Sequence, residues 1–276
     1  MKKKLIYASD LDSTLLFSER HLSNLDSKNY IQINDGEDRK LHLSKKSYEI
    51  LNSIHEVSTF IPVTSRSVEQ YTRLSIFNEN IKPRFAIVSN GGNVIVDGEI
   101  DTEYHEYLAK HSNGKIELYK KSIENFTNTF PKELITRVRH VDDCYHLFNL
   151  TVNKDEKTDI MDVILSHLPK DGSCIVSLQN KKLHIFPSYI NKILALEYIS
   201  QKYNLSIFIS AGDSTADLPM LKGASVGLIP ATGELVELHS KKHLSSEGFR
   251  VIQGETPIHT GEEVLKTAKS LIEDKN

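Results

Sequence analysis

Cysteine is nearly absent from this sequence. Cys144 and Cys174 are the only two among 276 residues and form no C-x-x-C pair, which excludes a disulfide framework and fits buried free thiols in a reducing compartment. No apolar run reaches the length of a membrane span. Met1-Lys2-Lys3-Lys4 imitates the charged start of an export signal, but the apolar run behind it breaks at Ser9 and Asp10, too soon for one. A cytoplasmic protein is therefore expected. A formal charge of -3 and a pI near 6.5 leave no basic surplus to hold nucleic acid or an anionic membrane. The expected partners are small molecules, and nothing specifies the oligomeric state. The twelve histidines include no H-x-H or H-E-x-x-H pair, which argues against zinc.

Short apolar runs, by contrast, recur along the chain. Residues 5–8, 59–63, 84–88, 206–209 and 225–229 read as buried strands. Helical patterns fall between many of them: residues 44–54, a capping box at Ser67-Val68-Glu69-Gln70, and residues 192–203 with Ile193, Leu194, Leu196, Tyr198 and Ile199 on a helical period. Alternating strands and helices predict an α/β fold with a doubly wound, Rossmann-like parallel sheet. Between Gly98 and Pro187 the order changes. Helix-like 117–130 precedes strand-like 135–141 and 145–152, and helix-like 156–168 precedes strand-like 173–178 and 183–186. That order predicts an α+β module over residues 99–186, inserted into a core made of 1–98 and 187–276. Asn34-Asp35-Gly36 separates two alternating segments in 30–43, as in a β-hairpin after the first strand. His239 to His243 reads as a polar loop.

The residues at the ends of the predicted strands carry the functional signal. Asp10 and Asp12 come after the first, Thr64-Ser65-Arg66 after the second, Ser89-Asn90-Gly91-Gly92 after the third, and Gly212-Asp213-Ser214 after the fourth, with Asp217 close behind. Asp10 and Asp12 alone read equally well as a polar turn. Ligands of open parallel sheets, however, bind at the carboxyl ends of the strands, where these groups would gather in one crevice. Several carboxylates without cysteine or paired histidine favour a hard cation such as magnesium, which commonly works beside phosphate. Lys192, at the start of a predicted helix, adds a positive charge where an anion is already favoured.

Asp10-Leu11-Asp12-Ser13-Thr14, Thr64, Lys192 and Gly212-Asp213 with Asp217 resemble the four ordered motifs of the haloacid dehalogenase (HAD) superfamily. More narrowly, the chain resembles its phosphatases with a type C2 cap, among them Cof-like sugar phosphatases, sucrose-phosphate phosphatase and mannosyl-3-phosphoglycerate phosphatase. Its C-terminal "GDSTADLPMLKGASVGLIPATGEL" and "HTGEE" are similar to a HAD branch associated with tellurium-resistance clusters. The resemblance implies a magnesium-dependent phosphatase acting on a small phosphomonoester, a sugar phosphate or related metabolite, through an aspartyl-phosphate. Asp10 would be the nucleophile and a magnesium ligand. Asp12 would move protons, its backbone carbonyl also reaching the metal. Thr64 and Lys192, with Ser65 and Asn90, would hold the phosphoryl group and substrate, and Asp213 and Asp217 would ligate or support the metal. A phosphomutase or phosphotransferase of the same fold, or a catalytically silent phospho-metabolite binder, are the alternatives. Three positions depart from the family: Ser13 and Ser65 stand where many relatives have glycine, and Ala216 where they have asparagine before Asp217. In the inserted module, alternation puts Arg137 and Arg139 on one strand face. With His146, Lys181, Lys182 and His184 nearby, that face is either a solvated surface or a reader of an anionic or hydroxyl-rich substrate.

Overall fold

A computed structural model describes residues 4–22, 27–36, 39–151, 157–179 and 181–275. It divides into two compact units, Met1–Asp101 with Lys192–Asn276, and Thr102–Asn191. The larger unit begins with β1 (Leu5–Ser9), β2 (Phe17–Ser18), β3 (Tyr30–Asn34), β4 (Lys40–Ser44), α1 (Lys45–Val57), β5 (Thr59–Pro62) and α2 (Val68–Thr72), followed by β6 (Phe85–Val88), β7 (Asn93–Val96) and β8 (Glu99–Ile100). The smaller unit holds α3 (Thr102–His111), α4 (Lys115–Thr129), β9 (Ile135–Val141), β10 (Tyr145–Leu150), α5 (Lys157–Ser166), β11 (Cys174–Gln179) and β12 (Lys182–Pro187). The larger unit resumes with α6 (Lys192–Lys202), β13 (Ser206–Ala211), α7 (Leu218–Gly223), β14 (Val226–Pro230), α8 (Glu234–Leu238), α9 (Lys241–Ser246), β15 (Arg250–Ile252) and α10 (Pro257–Lys275).

A five-stranded parallel sheet in the order β15-β14-β13-β1-β5 forms the centre of the larger unit. All five residues of β1 are buried, as a strand covered on both faces requires. Tyr7, Phe60 and Ile209 pack with Leu51 and Ile54 of α1 and with Val264, Leu265 and Ala268 of α10, while α6 and α7 pack on each other and on β13. Ser44 Oγ caps α1 by accepting the Ser47 N–H at 2.9 Å. The box at Ser67 and Gln70 is formed at the start of α2. Because β1 lies between β13 and β5, and Val63 bridges in parallel to Ile87, the loops after β1, β5, β6 and β13 leave neighbouring strands at the same end. The expected hairpin is β3 and β4, paired from Tyr30 opposite Ser44 to Asn34 opposite Lys40.

The smaller unit has one antiparallel sheet, β11-β12-β10-β9. One face packs Phe148, Leu183 and Ile185 against Tyr119, Ile123 and Phe126 of α4 and Ile160 and Ile164 of α5. The expected helices and strands are present there with ends shifted by at most two residues; Val152 and Glu156, at the ends of two expected elements, lie outside the described residues. The stretch from His239 to His243 is not all loop. Ser240 Oγ accepts the His243 N–H at 3.2 Å and thereby starts α9. Among the described residues, no helix is long and apolar enough to cross a membrane.

Candidate active site

Asp10 directly follows β1, and its N–H donates to Ala211 O, 2.9 Å away, joining the ends of β1 and β13. Lys192, the first residue of α6, is only 2% exposed. Its Nζ donates to Asp10 Oδ1 at 2.6 Å and to Asp217 Oδ1 at 2.5 Å. The other oxygen of Asp217 accepts from Asp213 N at 3.1 Å, Ser214 N at 2.9 Å and Ser214 Oγ at 2.9 Å. Asp217 is thus a fully buried brace holding both the lysine and the loop that carries Asp213. None of these donors comes from position 216, so Ala216 leaves the seating of Asp217 intact. Two glycines make room for the acids: a Cβ on Gly212 would lie 2.5 Å from Asp217 Cγ, and one on Gly233 2.5 Å from Asp213 Cβ.

One carboxylate oxygen from each of Asp10, Asp213 and Asp217 lies within 4.8 Å of the others. Three carboxylates face a single ammonium. Burial, and after it the neighbouring Asp217, raises the Asp10 carboxyl above its usual range, with Lys192 opposing. Asp213 is also raised, first by burial and then by Asp10 and Asp217. Burial alone would lower the Lys192 ammonium, but Asp10 and Asp217 outweigh it and keep it firmly charged. A site with this excess of buried negative charge is chemically suited to a divalent cation with oxygen ligands.

Thr64 follows β5 and is buried; its Oγ1 accepts the Arg66 N–H at 3.1 Å. Asn90 N donates to Thr64 O at 2.9 Å, and Ser89 N to Arg66 O at 2.7 Å, so the loops after β5 and β6 are joined. Ser89, Asn90 and Gly91 take φ values of 53°, 58° and 95° in succession, and these bonds over-determine that strained turn. Asn90 Oδ1 is buried and has no hydrogen-bond partner among the described residues. Ser65 is half-buried.

Asp12 is placed differently from Asp10. Its carboxylate is gripped by Arg66, with Nε 2.7 Å from Oδ2 and Nη2 2.8 Å from Oδ1. The sequence marks Arg66 only as a residue at a strand end, with no role of its own. Nor does it mark Asp35 on the hairpin, which takes Arg66 Nη1 at 2.8 Å. A turn aspartate beside Gly36 carries no local sign of such a contact. Gly233 carries no such sign either, whereas Ser214 stands in the sequence among the strand-end residues and here donates to Asp217.

In the smaller unit, Arg139, Leu147, His184 and Ser177 stand in register across all four strands, on the sheet face opposite α4 and α5. Arg139 Nε, Ser177 Oγ and both ring nitrogens of His184 are buried with no hydrogen-bond partner among the described residues. Tyr145 and Phe186 stack against the His184 ring at 5.8 Å and 5.6 Å.

No curated protein matches the chain in sequence. Among solved structures it is similar over 99% of both chains to the sucrose-phosphatase of Synechocystis sp. PCC6803, determined with sucrose and phosphate, at a TM-score of 0.64 and 14% identity. A HAD-superfamily phosphatase of Bacteroides thetaiotaomicron matches at a TM-score of 0.55 and 16% identity, over 97% of this chain and 95% of that one. A subclass IIB sugar phosphatase of the same superfamily matches at 0.54 and 13%, over 97% and 98%. These likenesses establish the α/β fold with its additional antiparallel sheets. The sucrose-6F-phosphate phosphohydrolase family matches residues 3–256, and the chain belongs to that family of HAD-superfamily phosphatases.

Proposed function

We propose that this protein is a magnesium-dependent phosphatase that hydrolyses a small phosphomonoester, a sugar phosphate or related metabolite, through a phosphorylated Asp10. The observation that carries the reading is the Lys192 ammonium bound to Asp10 and Asp217 beside Asp213, a buried cluster short of positive charge. Asp10 and Asp213 would hold magnesium, with the Asp12 carbonyl and Asp217 supporting it. When bound, the ion would neutralise phosphoryl charge and let an anionic nucleophile approach an anionic substrate.

The residues divide the work. Lys192 holds one oxygen of Asp10 and supplies positive charge to the incoming phosphoryl group. Asp10 attacks phosphorus as the bond to the leaving oxygen breaks, and Asp12 delivers a proton to that oxygen. Asp12 then takes a proton from the water that attacks the phospho-aspartate, releasing phosphate and restoring Asp10. Thr64 Oγ1 accepts from Arg66 N, which leaves its own hydrogen to donate to a phosphoryl oxygen. Asn90 and Ser65 line the same strand ends. In the smaller unit, which we assign as the cap, donors and acceptors that find no partner among the described residues and are bordered by aromatic rings suit a hydroxyl-bearing carbon skeleton.

The test is phosphate release from an aryl phosphate and a panel of phosphorylated metabolites, with and without magnesium, for the wild-type protein and Asp10→Asn. Magnesium-dependent release abolished by the substitution is expected. Release that Asp10→Asn leaves unchanged would refute the covalent route. Binding without turnover identifies a silent binder, and isomerised product without free phosphate identifies a mutase.

A further inference from the structure

Asp12, Arg66, Asp35 and Arg39 close a ring of four charges. Besides the two bonds from Arg66, Asp12 Oδ1 receives Arg39 Nη2 at 3.2 Å. Arg39 Nε in turn lies 3.2 Å from Asp35 Oδ2. Asp35 and Arg39 sit where the two arms of the β3–β4 hairpin end, tied by the Asp35 N–H to Arg39 O at 2.8 Å, so the hairpin presents both side chains to one place. The side chains of Arg66 and Asp35 are 5% and 4% exposed, whereas that of Asp12 is 38% exposed.

The geometry gives Asp35 a specific task. A carboxylate paired with a guanidinium through two parallel bonds lies close to the guanidinium plane, so whatever fixes that plane fixes the carboxylate. Nε and Nη2 of Arg66 are committed to Asp12, and its Nη1 to Asp35. Asp12 holds one edge of the fork and Asp35 its far end, which prevents the Arg66 side chain from swinging out with Asp12 attached. Arg39 braces the pair from the exposed side.

We propose that Asp35 is a positioning residue for proton transfer by Asp12, acting through Arg66 and assisted by Arg39. The inference rests on Asp12 being the group that protonates the leaving oxygen. In that step the phosphorus–oxygen bond breaks with its electrons passing to the leaving oxygen, and the Asp12 proton moves to the same atom. The proton that Asp12 takes from water in the second half of one turnover is the one it gives away in the next. Misplacing Asp12 therefore harms most the substrates whose leaving group most needs a proton.

The experiment is kcat/KM, with magnesium, for aryl phosphates of increasing leaving-group pKa, from p-nitrophenyl phosphate to phenyl phosphate, extended to an alkyl phosphate. Asp35→Asn is expected to cost about tenfold or more at the poor-leaving-group end and less than about threefold for p-nitrophenyl phosphate. Arg39→Met, at a half-exposed side chain, should steepen the dependence to a smaller degree in a protein that folds normally. Asp35→Glu should restore part of the wild-type slope. An equal loss across the series, or none in either variant, overturns the proposal. A wild-type protein that releases phosphate from no member of the series overturns the phosphatase reading, and this inference with it.

Discussion

Gly233 approaches Asp213 so closely that a Cβ at position 233 would sit 2.5 Å from Asp213 Cβ and 2.9 Å from Asp213 O. The Gly233 backbone, at φ -89° and ψ 165°, is one that alanine adopts without strain. The cost of Gly233→Ala is therefore contact alone, and it falls on the loop that holds Asp213. The variant should need several-fold more magnesium for half-maximal phosphate release and should unfold below the wild-type temperature, since the atoms that must give way include the Asp213 backbone. A magnesium titration alongside a thermal scan checks both; an unchanged magnesium requirement means that Asp213 is not a ligand.

Much of this arrangement was legible in the sequence, because buried parallel strands announce themselves as short apolar runs and the acids come directly after those runs. Asp10, Lys192 and Asp217, all three singled out in the sequence, come together in the fold. The ring around Asp12 was not legible. Arg66 reaches Asp12 across 54 positions and Asp35 across 31, and no local periodicity encodes a contact between a hairpin tip and a loop on another strand. The hairpin is evident as an element, but its tip residues look like ordinary turn chemistry. In the smaller unit, alternation correctly put Arg137 and Arg139 on one face, since they oppose Asn149 and Leu147. It could not divide the neighbouring strands' residues: His184 and Lys182 continue that face, whereas His146 opposes His140 and Ile185 on the other one, because register between strands is set in three dimensions.

Lys192 is the sole cation bound to Asp10 and Asp217 among the described residues. Lys192→Met would leave two buried carboxylates facing each other, and breaking buried ion pairs in this way costs roughly 3–5 kcal/mol. Denaturant unfolding of the metal-free protein should show a loss of that order, together with loss of phosphatase activity. Adding Asp217→Asn should recover part of the stability, since it removes one of the stranded charges, but none of the activity. Equal stability of the single and double variants would mean that the carboxylates do not repel each other as this geometry requires.

Ser13, where many relatives have glycine, has a φ of 65°. Left-handed backbone costs an L-residue roughly 1–2 kcal/mol, and glycine avoids that penalty while losing about 0.5–1 kcal/mol of chain entropy on folding. The first effect is the larger, so Ser13→Gly should leave unfolding stability unchanged or raise it by about 1 kcal/mol and leave activity intact. Ser13→Val, with a β-branched side chain in the same backbone, should be clearly destabilising. If valine is tolerated as well as glycine, the left-handed turn beside Asp12 is not enforced in solution.

Acid should destabilise the protein through its buried imidazoles. Burial lowers the His184 imidazole to about 4, with Lys182 and Arg139 adding to the effect. In the unfolded chain the same group takes up its proton near the ordinary value of about 6.5. Above that value both states are neutral and His184 is without effect on stability. As the pH falls from about 6.5 towards about 4 the unfolded chain binds a proton that the folded protein refuses, so stability falls. By proton linkage, His184 alone should remove about 2 kcal/mol between about pH 7.5 and about pH 5. His146, also lowered to about 4 by burial and by neighbouring His140, is more exposed and should add a smaller change of the same sign. Denaturant unfolding across this range should therefore show declining stability in acid, and His184→Phe should make the decline shallower, since a ring of similar size replaces the titrating one. A variant with the same pH slope as the wild type would show that His184 is not held neutral within the sheet face it shares with Arg139 and Ser177.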